Sequence, residues 1–176
     1  MKVTINANGT TIQAEISEEQ LKELGLIEEQ PTGYERVKKG EMYDLVDIYN
    51  NIMRVTEYNN QDDKQSYNIG NYYSDEKIAE NNARADRLMR RLRQWQALHD
   101  RTISIKDWEG YTVTKFFIIY NYGEFGRECR VYPTKLIREP NIIYFSTEEK
   151  AEEAIKIFKD ELEWYFTEYQ QRLDEG

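Results

Sequence analysis

The sequence predicts an α+β protein in which antiparallel hairpins are each followed by a helix that covers them, with a further hairpin and short helix at the N-terminus. Two patterns lead to this fold class. Alternating apolar and polar residues occur in short stretches on both sides of turn-forming residues, which is typical of hairpins. After each of the last two hairpins, apolar residues recur at intervals of three and four, which is typical of amphipathic helices.

Residues 1–33 are predicted to form the N-terminal hairpin and short helix. Alternating apolar residues lie on both sides of Asn8-Gly9, a pair that tolerates the positive φ angles of a tight hairpin turn. Ser17 and Gln20 have the spacing of a capping box at a helix start, and Gly25 suits a left-handed stop. We therefore treat this segment as distinct from the two units that follow.

Residues 34–101 are predicted to form the first hairpin-helix unit. Its strands are expected at Met42–Tyr49 and Ile52–Tyr58, joined by an asparagine-rich turn. The polar stretch Asn59–Gln65 has no apolar residue, and we expect it to be a mobile loop. The helix is expected at Asp75–His99, because the apolar residues there form a single stripe.

Residues 102–176 are predicted to form the second hairpin-helix unit. Its strands are expected at Tyr111–Tyr120 and Cys129–Leu136, followed by a short apolar strand at Ile142–Phe145. Neither unit has enough apolar surface for a core alone, so we expect residues 34–176 to share one core.

The final helix is predicted to begin with a cap formed by Ser146 and Glu149. Its buried positions follow steps of four and three almost without interruption. The predicted buried stripe consists of Ala151, Ile155, Phe158, Leu162, Tyr165, Tyr169 and Leu173.

The two strand-to-helix junctions have similar sequences. Tyr72–Glu80 aligns with Tyr144–Glu152 and matches at Tyr, Ser, Glu, Ala and Glu. Two origins are open at this point: a ββα duplication, or convergence on the residues that begin helices.

Charge is distributed unevenly along the chain, which has a formal net charge of -9. Residues 146–176 contain ten acidic and four basic residues, whereas residues 76–101 contain seven basic and four acidic ones. An acidic protein repels nucleic acid on average and attracts basic surfaces. The alternative is that the charge serves solubility alone.

Several kinds of chemistry lack their residues in this sequence. Cys129 is the only cysteine and His99 the only histidine, which excludes an internal disulfide, zinc clusters built on cysteine and sites with two histidines. Glycine-rich phosphate loops do not occur, and Asp62-Asp63 lacks the spacing of a calcium loop. We therefore expect no catalytic residue, no metal and no cofactor.

The longest apolar run, Phe116–Tyr120, has five residues, far fewer than the roughly 20 that a membrane span needs. The chain enters a strand-like pattern directly after Met1, without an apolar signal segment. We therefore expect a cytoplasmic protein that does not contact a membrane, located in the host cell if a phage encodes it.

Acidic residues cluster on the predicted final helix, and we call this set the acidic ridge. Near a helix start, negative charge favours the helix dipole, so helix stabilisation on a solvated face is one explanation. The functional explanation is a surface that binds a basic groove of a partner. The acidic ridge consists of Glu148, Glu149, Glu152, Glu153, Asp160, Glu161 and Glu163.

Arginines cluster on the predicted long helix and offer an alternative, nucleic-acid-binding surface. Acidic residues precede two of them by four positions, which favours pairing within the molecule or with a second copy. The arginines are Arg84, Arg87, Arg90 and Arg91, with Arg93 beside them, and the acidic residues are Glu80 and Asp86.

The chain has 14 tyrosines, 6 phenylalanines and 3 tryptophans, more than one small interior needs. Tyrosine is favoured in interfaces because it combines a large rigid contact area with a polar tip. An extensive binding surface or a homodimer is the expected consequence.

Parts of the sequence resemble small accessory proteins encoded by phages and mobile elements of low-GC Gram-positive bacteria. The resemblance lies in the two junctions, Gly70–Glu80 and Tyr144–Glu152, and in the opening segment Ile16–Leu26. These motifs are structural, so the resemblance transfers no functional residue. It implies membership of a group that includes anti-CRISPR proteins, many of which bind Cas nucleases without performing chemistry.

The resulting expectation is a non-enzymatic, phage-type binding protein that inhibits a host nucleic-acid-handling complex, with an RNA-guided nuclease such as Cas9 as the leading candidate. The acidic ridge would contact basic residues of the partner, and tyrosines would supply apolar anchors. Two alternatives stay open: a nucleic-acid-binding module that uses the arginine helix, and an enzyme with a metal site made of carboxylates alone.

Overall fold

The structure, a computed structural model, describes residues 2–7, 10–17, 20–21, 25, 30–123 and 126–175. Within these residues, six strands form three separate two-stranded antiparallel sheets, and four α-helices accompany them. The predicted α+β class with hairpins followed by helices is confirmed. The strands are β1 (Lys2–Ala7), β2 (Thr10–Glu15), β3 (Met42–Val46), β4 (Ile52–Thr56), β5 (Lys115–Asn121) and β6 (Glu128–Thr134), and the helices are α1 (Gln61–Asn68), α2 (Glu76–His99), α3 (Glu148–Ile157) and α4 (Lys159–Thr167).

The N-terminal segment contains the predicted hairpin and helix start. Strands β1 and β2 pair in antiparallel register, and the predicted Asn8-Gly9 turn lies outside the described residues. The predicted capping box is present, since the Ser17 N–H donates to Gln20 Oε1 at 3.0 Å and the Gln20 N–H donates to Ser17 Oγ at 3.2 Å. Gly25 has a φ of 65°, as its predicted role as a left-handed stop requires.

In the first unit, the chain returns to the β3–β4 hairpin immediately before the long helix. Asp44 and Tyr73 exchange two backbone hydrogen bonds of 2.8 and 2.9 Å, so Tyr73 acts as a third, one-residue strand beside β3. Asp75 then caps α2, because its side chain accepts a hydrogen bond from the Ile78 N–H at 3.0 Å. The predicted long helix is confirmed.

The second unit repeats this arrangement with different residues. Phe116 and Phe145 exchange two backbone hydrogen bonds of 2.9 and 2.7 Å. The predicted strand before the final helix is reduced to Phe145 alone, because no other residue of that stretch pairs with β5. The prediction of Ser146 as the helix cap is wrong by one residue, since the side chain of Thr147 accepts the hydrogen bond that caps α3. Ser146 instead donates to Asp100.

Equivalent residues of the two units are separated by a constant distance in the sequence. The paired residues and the helix caps stand 72 positions apart in every case: Asp44 and Phe116, Tyr73 and Phe145, Asp75 and Thr147. The same offset relates Ser74, which donates to Glu35, and Ser146, which donates to Asp100. The two hairpin-helix units are therefore structurally equivalent at the junctions that the sequence comparison aligned.

Helix α2 contributes to two apolar clusters of the described residues. Ile78 and Ala79, in its first turns, pack with Tyr73, Tyr34 and Leu173. Its last turns join the larger cluster formed by Leu88, Leu92, Trp95, Phe145, Ala151, Ala154, Phe158 and Leu162. Because one rigid helix contributes to both clusters, it links the two units; the predicted boundaries at residues 33 and 101 stay predictions.

The prediction of a mobile loop at Asn59–Gln65 is wrong from Gln61 onward, because helix α1 begins there. Asn60 and Asp63 form a capping box, with each side chain accepting a hydrogen bond from the other's backbone N–H. Asp63 is buried and also accepts hydrogen bonds from the Tyr58 N–H and the Tyr43 hydroxyl. These tertiary contacts supply the order that the polar composition does not predict.

A buried polar network holds α1 and the preceding strand together. Glu57 is 1% exposed and accepts two hydrogen bonds of 3.1 Å from Arg36 and one of 2.9 Å from the Tyr72 hydroxyl. The ring of Tyr72 stacks on that of Tyr43 with centroids 3.9 Å apart. Both tyrosines are buried core residues and are therefore not part of a binding surface.

The predicted final helix is divided at Phe158. Helix α3 ends at Ile157 and α4 begins at Lys159, because Phe158 has non-helical angles of -106° and 20° and is buried in the core. Helix α4 ends at Thr167, so Tyr169 and Leu173 lie outside it. The Leu173 N–H instead donates to the Thr32 carbonyl, which returns the chain to the first unit. The continuous stripe predicted for one helix is therefore wrong at its end.

No helix among the described ranges combines the length and apolar character that crossing a bilayer requires.

Candidate partner-binding groove

The members of the acidic ridge differ in exposure and in ion pairing. Six of its members are exposed: Glu148, Glu149, Glu152, Glu153, Asp160 and Glu163. Glu161 is half-buried and pairs with Arg84 at 3.0 Å. Glu153 pairs with Lys150 at 2.7 Å. The other five have no ion pair among the residues that the structure describes.

The first turn of α3 favours negative charge. Its N-terminal N–H groups have no partner within the helix, and the helix dipole is positive there. A hydrogen bond from its own backbone and one from the Thr147 side chain hold the pKa of Glu149 below its ordinary value. Glu149 therefore serves the helix start as well as the acidic surface, as one of the two explanations predicts.

A surface groove runs between β6 and the outer side of α3 and α4, and we call it the β6 groove. It consists of two adjoining cavities of about 390 and 430 Å³. Both cavities are lined by Glu128, Cys129, Ile155 and Lys156. One end is completed by Arg130, Val131, Glu148 and Glu152, and the other by Tyr120, Arg127, Lys159 and Glu163.

Strand β6 presents an unpaired backbone edge to this groove. Phe116 directs its backbone N–H and C=O to Phe145, so its cross-strand pair with Pro133 cannot be a hydrogen-bonded one. Because this pattern alternates, Val131 and Cys129 also direct their N–H and C=O groups away from β5. In the described part of the chain, no backbone hydrogen bond joins β6 to any strand but β5.

The two ends of the groove differ in charge. Glu148 and Glu152 make one end acidic, because Arg130 on the opposite side is paired with Glu128 at 2.8 Å. The other end is lined by three cations, Arg127, Lys156 and Lys159, and by two carboxylates, Glu128 and Glu163. Glu128 and Lys156 line both ends, so Arg127 and Lys159 make this end the more basic one. The groove can therefore distinguish the direction of a charged segment.

Cys129 lies at the centre of the groove as a protonated thiol. Burial, followed by the nearby charge of Glu163, raises the pKa of Cys129 to about 11. The thiolate is the nucleophilic form of cysteine, and at neutral pH this residue is not in that form. Cys129 thus contributes a half-buried apolar wall to the groove.

Among the residues that the structure describes, no three His, Cys, Asp or Glu side chains are grouped so that they could hold a metal ion. His99 lies at the end of α2, where its ring stacks on Trp95 and its Nδ1 lies 2.9 Å from the Trp95 carbonyl oxygen. This is the structural placement predicted for His99 from the helix dipole.

The arginine helix is largely occupied by contacts within the molecule. The Arg84 guanidinium lies 3.9 Å from the centroid of the Trp164 ring as well as beside Glu161. Arg91 lies 5.2 Å from the ring of Phe158, and Arg90 donates to Asn50. The predicted pairing within the molecule is therefore present at Arg84, although its partner is Glu161.

Two arginines of α2 remain available on its surface. Arg87 and Arg93 are exposed, and neither has an ion pair among the residues described. Glu80 and Asp86 likewise have no ion pair in this part of the chain, so the pairs predicted from their spacing are not formed.

Exposed tyrosines are spread over several surfaces. Tyr132 of β6 is 54% exposed and lies on the opposite face of its hairpin from the core. The others that are clearly exposed are Tyr49, Tyr58, Tyr67, Tyr111 and Tyr122. The extensive binding surface or homodimer expected from the tyrosine content stays a prediction.

Sequence reasoning missed most residues that line the β6 groove. Cys129 and Val131 lie in a predicted strand, but only the pairing shows that this strand is an edge. The signal for the opposite wall is present, since positions 148, 152, 155, 156, 159 and 163 follow helical spacing. Their position beside β6 depends on how α3 packs across the hairpin.

Comparison with protein-family models, with curated proteins and with solved structures gives no match for this chain.

Proposed function

We propose that this chain is a non-enzymatic binding protein that attaches to a basic surface of a nucleic-acid-handling protein complex. The acidic side chains of α3 and α4 provide the contact. A partner surface that normally holds nucleic acid is rich in Lys and Arg, so these carboxylates compete with phosphates for the same residues.

One observation carries this proposal. Five exposed carboxylates lie within 16 consecutive residues and lack ionic partners in the described part of the chain: Glu148, Glu149, Glu152, Asp160 and Glu163. These five charges are part of the net charge of -9. An unpaired acidic surface attracts a basic partner over about one Debye length, roughly 8 Å in physiological salt.

The proposal is one of binding without chemistry. Of the two side chains best suited to nucleophilic or general-base catalysis, the Cys129 thiol is protonated at neutral pH and the His99 ring stacks on Trp95. The largest of the protein's cavities among the described residues form a charged groove beside an edge strand. Such a groove is suited to holding another chain.

The most specific form of the proposal is inhibition of an RNA-guided nuclease such as Cas9. It rests on the resemblance to phage accessory proteins, and it predicts that the protein acts in the cytoplasm of the bacterial host. By occupying Lys and Arg residues that hold target DNA or guide RNA, the protein would prevent loading of the nuclease.

The test is a charge reversal of α3 followed by binding and cleavage assays. Purified Cas9 with guide RNA and labelled target DNA is mixed with wild-type protein or with a variant carrying Lys at positions 148, 149, 152 and 153. We expect wild-type protein to bind and to reduce cleavage, with an effect that weakens as salt rises. Loss of both effects in the variant supports the proposal, and unchanged effects remove the acidic side chains from it.

A gel-shift assay with labelled DNA and RNA tests the opposing explanation, in which the arginines of α2 bind nucleic acid directly. Arg87 and Arg93 are exposed arginines of α2 that make no ion pair with another described residue, and a nucleic-acid module would use them. A shift that disappears in Arg87→Glu would replace the proposal with nucleic-acid binding by α2.

A further inference from the structure

We propose that the β6 groove binds an extended segment of the partner, which adds a strand to the β6 edge and places a basic side chain beside Glu148 and Glu152. This inference rests on the proposed function, because it specifies what kind of partner segment the acidic surface receives. It goes beyond charge attraction by naming the backbone groups that are bound and the end of the groove where the cation lies.

The first argument is the set of backbone groups at the groove. Cys129 and Val131 each direct one N–H and one C=O away from β5, and Pro133 directs a C=O in the same direction. Pro133 has no N–H, so the edge ends without an unpaired donor at that position. An extended segment satisfies these groups in the way that peptides bind exposed sheet edges.

The second argument comes from the equivalent position in the first unit. Arg54 of β4 donates to Asp44 at 2.9 Å and to Glu76, the first residue of α2, at 2.7 Å. A guanidinium thus connects the edge strand to the start of the helix and covers this position in the first unit.

The second unit keeps one of the two acceptors of this bridge, has Phe116 where the first unit has Asp44, and lacks the guanidinium. Glu148 is the first residue of α3 and corresponds to Glu76. Pro133 pairs with Phe116 as Arg54 pairs with Asp44, so proline stands where the first unit has arginine. Glu148 has no ion pair in the described residues, and the groove is open beside it. The missing cation is therefore a group that a partner can supply.

The third argument is the charge polarity of the groove. Its acidic end lies beside Val131 and its basic end beside Arg127 and Lys159. The antiparallel orientation, which is slightly more stable per residue, places the N-terminal part of an added segment at the acidic end. The preferred segment therefore has a basic residue first and an acidic residue later, with an aliphatic residue between them above Ile155 and Cys129.

A displayed library of random linear heptapeptides, panned on the immobilised full chain, tests this inference without knowledge of the natural partner. Binders are counter-selected on the double variant E148K/E152K. We expect enriched peptides to combine β-branched residues with Arg or Lys near their N-terminus. Their synthetic versions should bind E148K/E152K about tenfold more weakly than wild type, as expected for the loss of a desolvated charge pair.

The matched control is E153K/D160K, which makes the same change in net charge on α3 and α4 but outside the groove. We expect the peptides to bind this control within about twofold of wild type, because exposed charges away from a contact contribute little. An equal loss of peptide affinity in both double variants would indicate binding by a general acidic surface and would overturn the groove inference.

Hydrogen exchange of backbone amides identifies the contact itself. In the peptide complex, exchange of the Cys129 and Val131 amides should slow by at least about tenfold, because both gain a partner. The Arg130 amide is already directed to β5 and should change little.

Three results would overturn the inference. They are enrichment of peptides without basic residues or of none at all, protection at amides outside β6, and concentration-dependent dimerisation of the chain alone that protects Cys129 and Val131. The last result would make a second copy the occupant. None of these results tests whether the acidic surface outside the groove inhibits the nuclease. The proposed function is tested separately, by the cleavage assay.

Discussion

Glu57 illustrates how a buried charge is retained in this protein. It is 1% exposed, yet its oxygens accept hydrogen bonds from Arg36, the Tyr72 hydroxyl and the Asn59 N–H. Hydrogen bonding from Arg36, opposed by burial and assisted by Tyr72, holds the pKa of Glu57 below its ordinary value of 4.5. The residue thus stays ionised at neutral pH, and the folded state depends on that charge.

Stability is therefore predicted to fall in acid. A carboxylate with a lowered pKa stabilises the folded state fully above its unfolded pKa, here 4.5, and this contribution is lost as the pH falls through the lower folded value. In Glu57→Gln, the melting temperature should be several degrees lower at pH 7, and the difference from wild type should shrink towards pH 3. Melting followed by circular dichroism between pH 7 and pH 3 checks this, and a constant difference would contradict it.

Arg84 has a structural role that its charge alone does not predict. It stacks on Trp164 at 3.9 Å and pairs with Glu161, so it joins α2 to α4. We expect Arg84→Ala to lower the free energy of unfolding by about 1 kcal/mol, and Arg84→Lys to recover only part, because lysine lacks the planar group that stacks. Urea unfolding measures both. Arg93→Ala, an exposed change on the same helix, is the control and should have little effect.

At the level of elements, α1 shows that a polar segment can be ordered by its cap and its tertiary contacts. We expect Asn60→Ala to lower the free energy of unfolding by about 1 kcal/mol, since the Asp63 N–H loses its acceptor. Amide exchange in α1 should accelerate in parallel. Gln61→Ala, at the next and exposed position, is the control, and equal effects would show that the cap is unimportant.

Strand β6 and helix α3 show how equivalent elements can acquire different surfaces. The first unit has Arg54 between its edge strand and helix, whereas the second has Pro133 and an open groove. The framework of hydrogen bonds at the junctions is the same in both. The first unit thus has a guanidinium bound to the helix start at the position where the second unit has a proline beside an unpaired carboxylate.

For the whole molecule, the returning C-terminal segment connects the end of the chain to the first unit. Leu173 packs with Tyr73 and Ile78, and the Tyr169 hydroxyl donates to Asn82 at 2.9 Å. We expect Leu173→Ala to lower the free energy of unfolding by about 1 to 2 kcal/mol, less than for a fully buried leucine because Leu173 is half-buried.

Hydrogen exchange locates this effect. Amides in the first turns of α2, around Ile78, should exchange faster in Leu173→Ala, while those around Leu92 should change less. Gln171→Ala is an exposed control in the same segment. Uniform acceleration throughout α2 would show that the segment stabilises the molecule globally rather than the first unit.

The sequence by itself determined the elements whose signals are local. The capping spacing of Ser17 and Gln20, the apolar period of α2 and the alignment of the two junctions all depend on residues close in the chain. The acidic composition likewise follows from the sequence, and most of the predicted acidic residues are exposed. Periodicity and capping act over one to a few turns, so they can be recognised without a fold.

Tertiary structure alone decided the features that depend on distant contacts. The final helix is divided at Phe158, which is buried in the core, and burial of Asp63 accompanies the order of α1 in a polar stretch. Packing of α3 across the β5–β6 hairpin creates the groove, and the pairing of Phe116 with Phe145 determines which edge of β6 is free. Burial and strand pairing join residues far apart in the chain, and a single sequence does not encode that proximity as a local pattern.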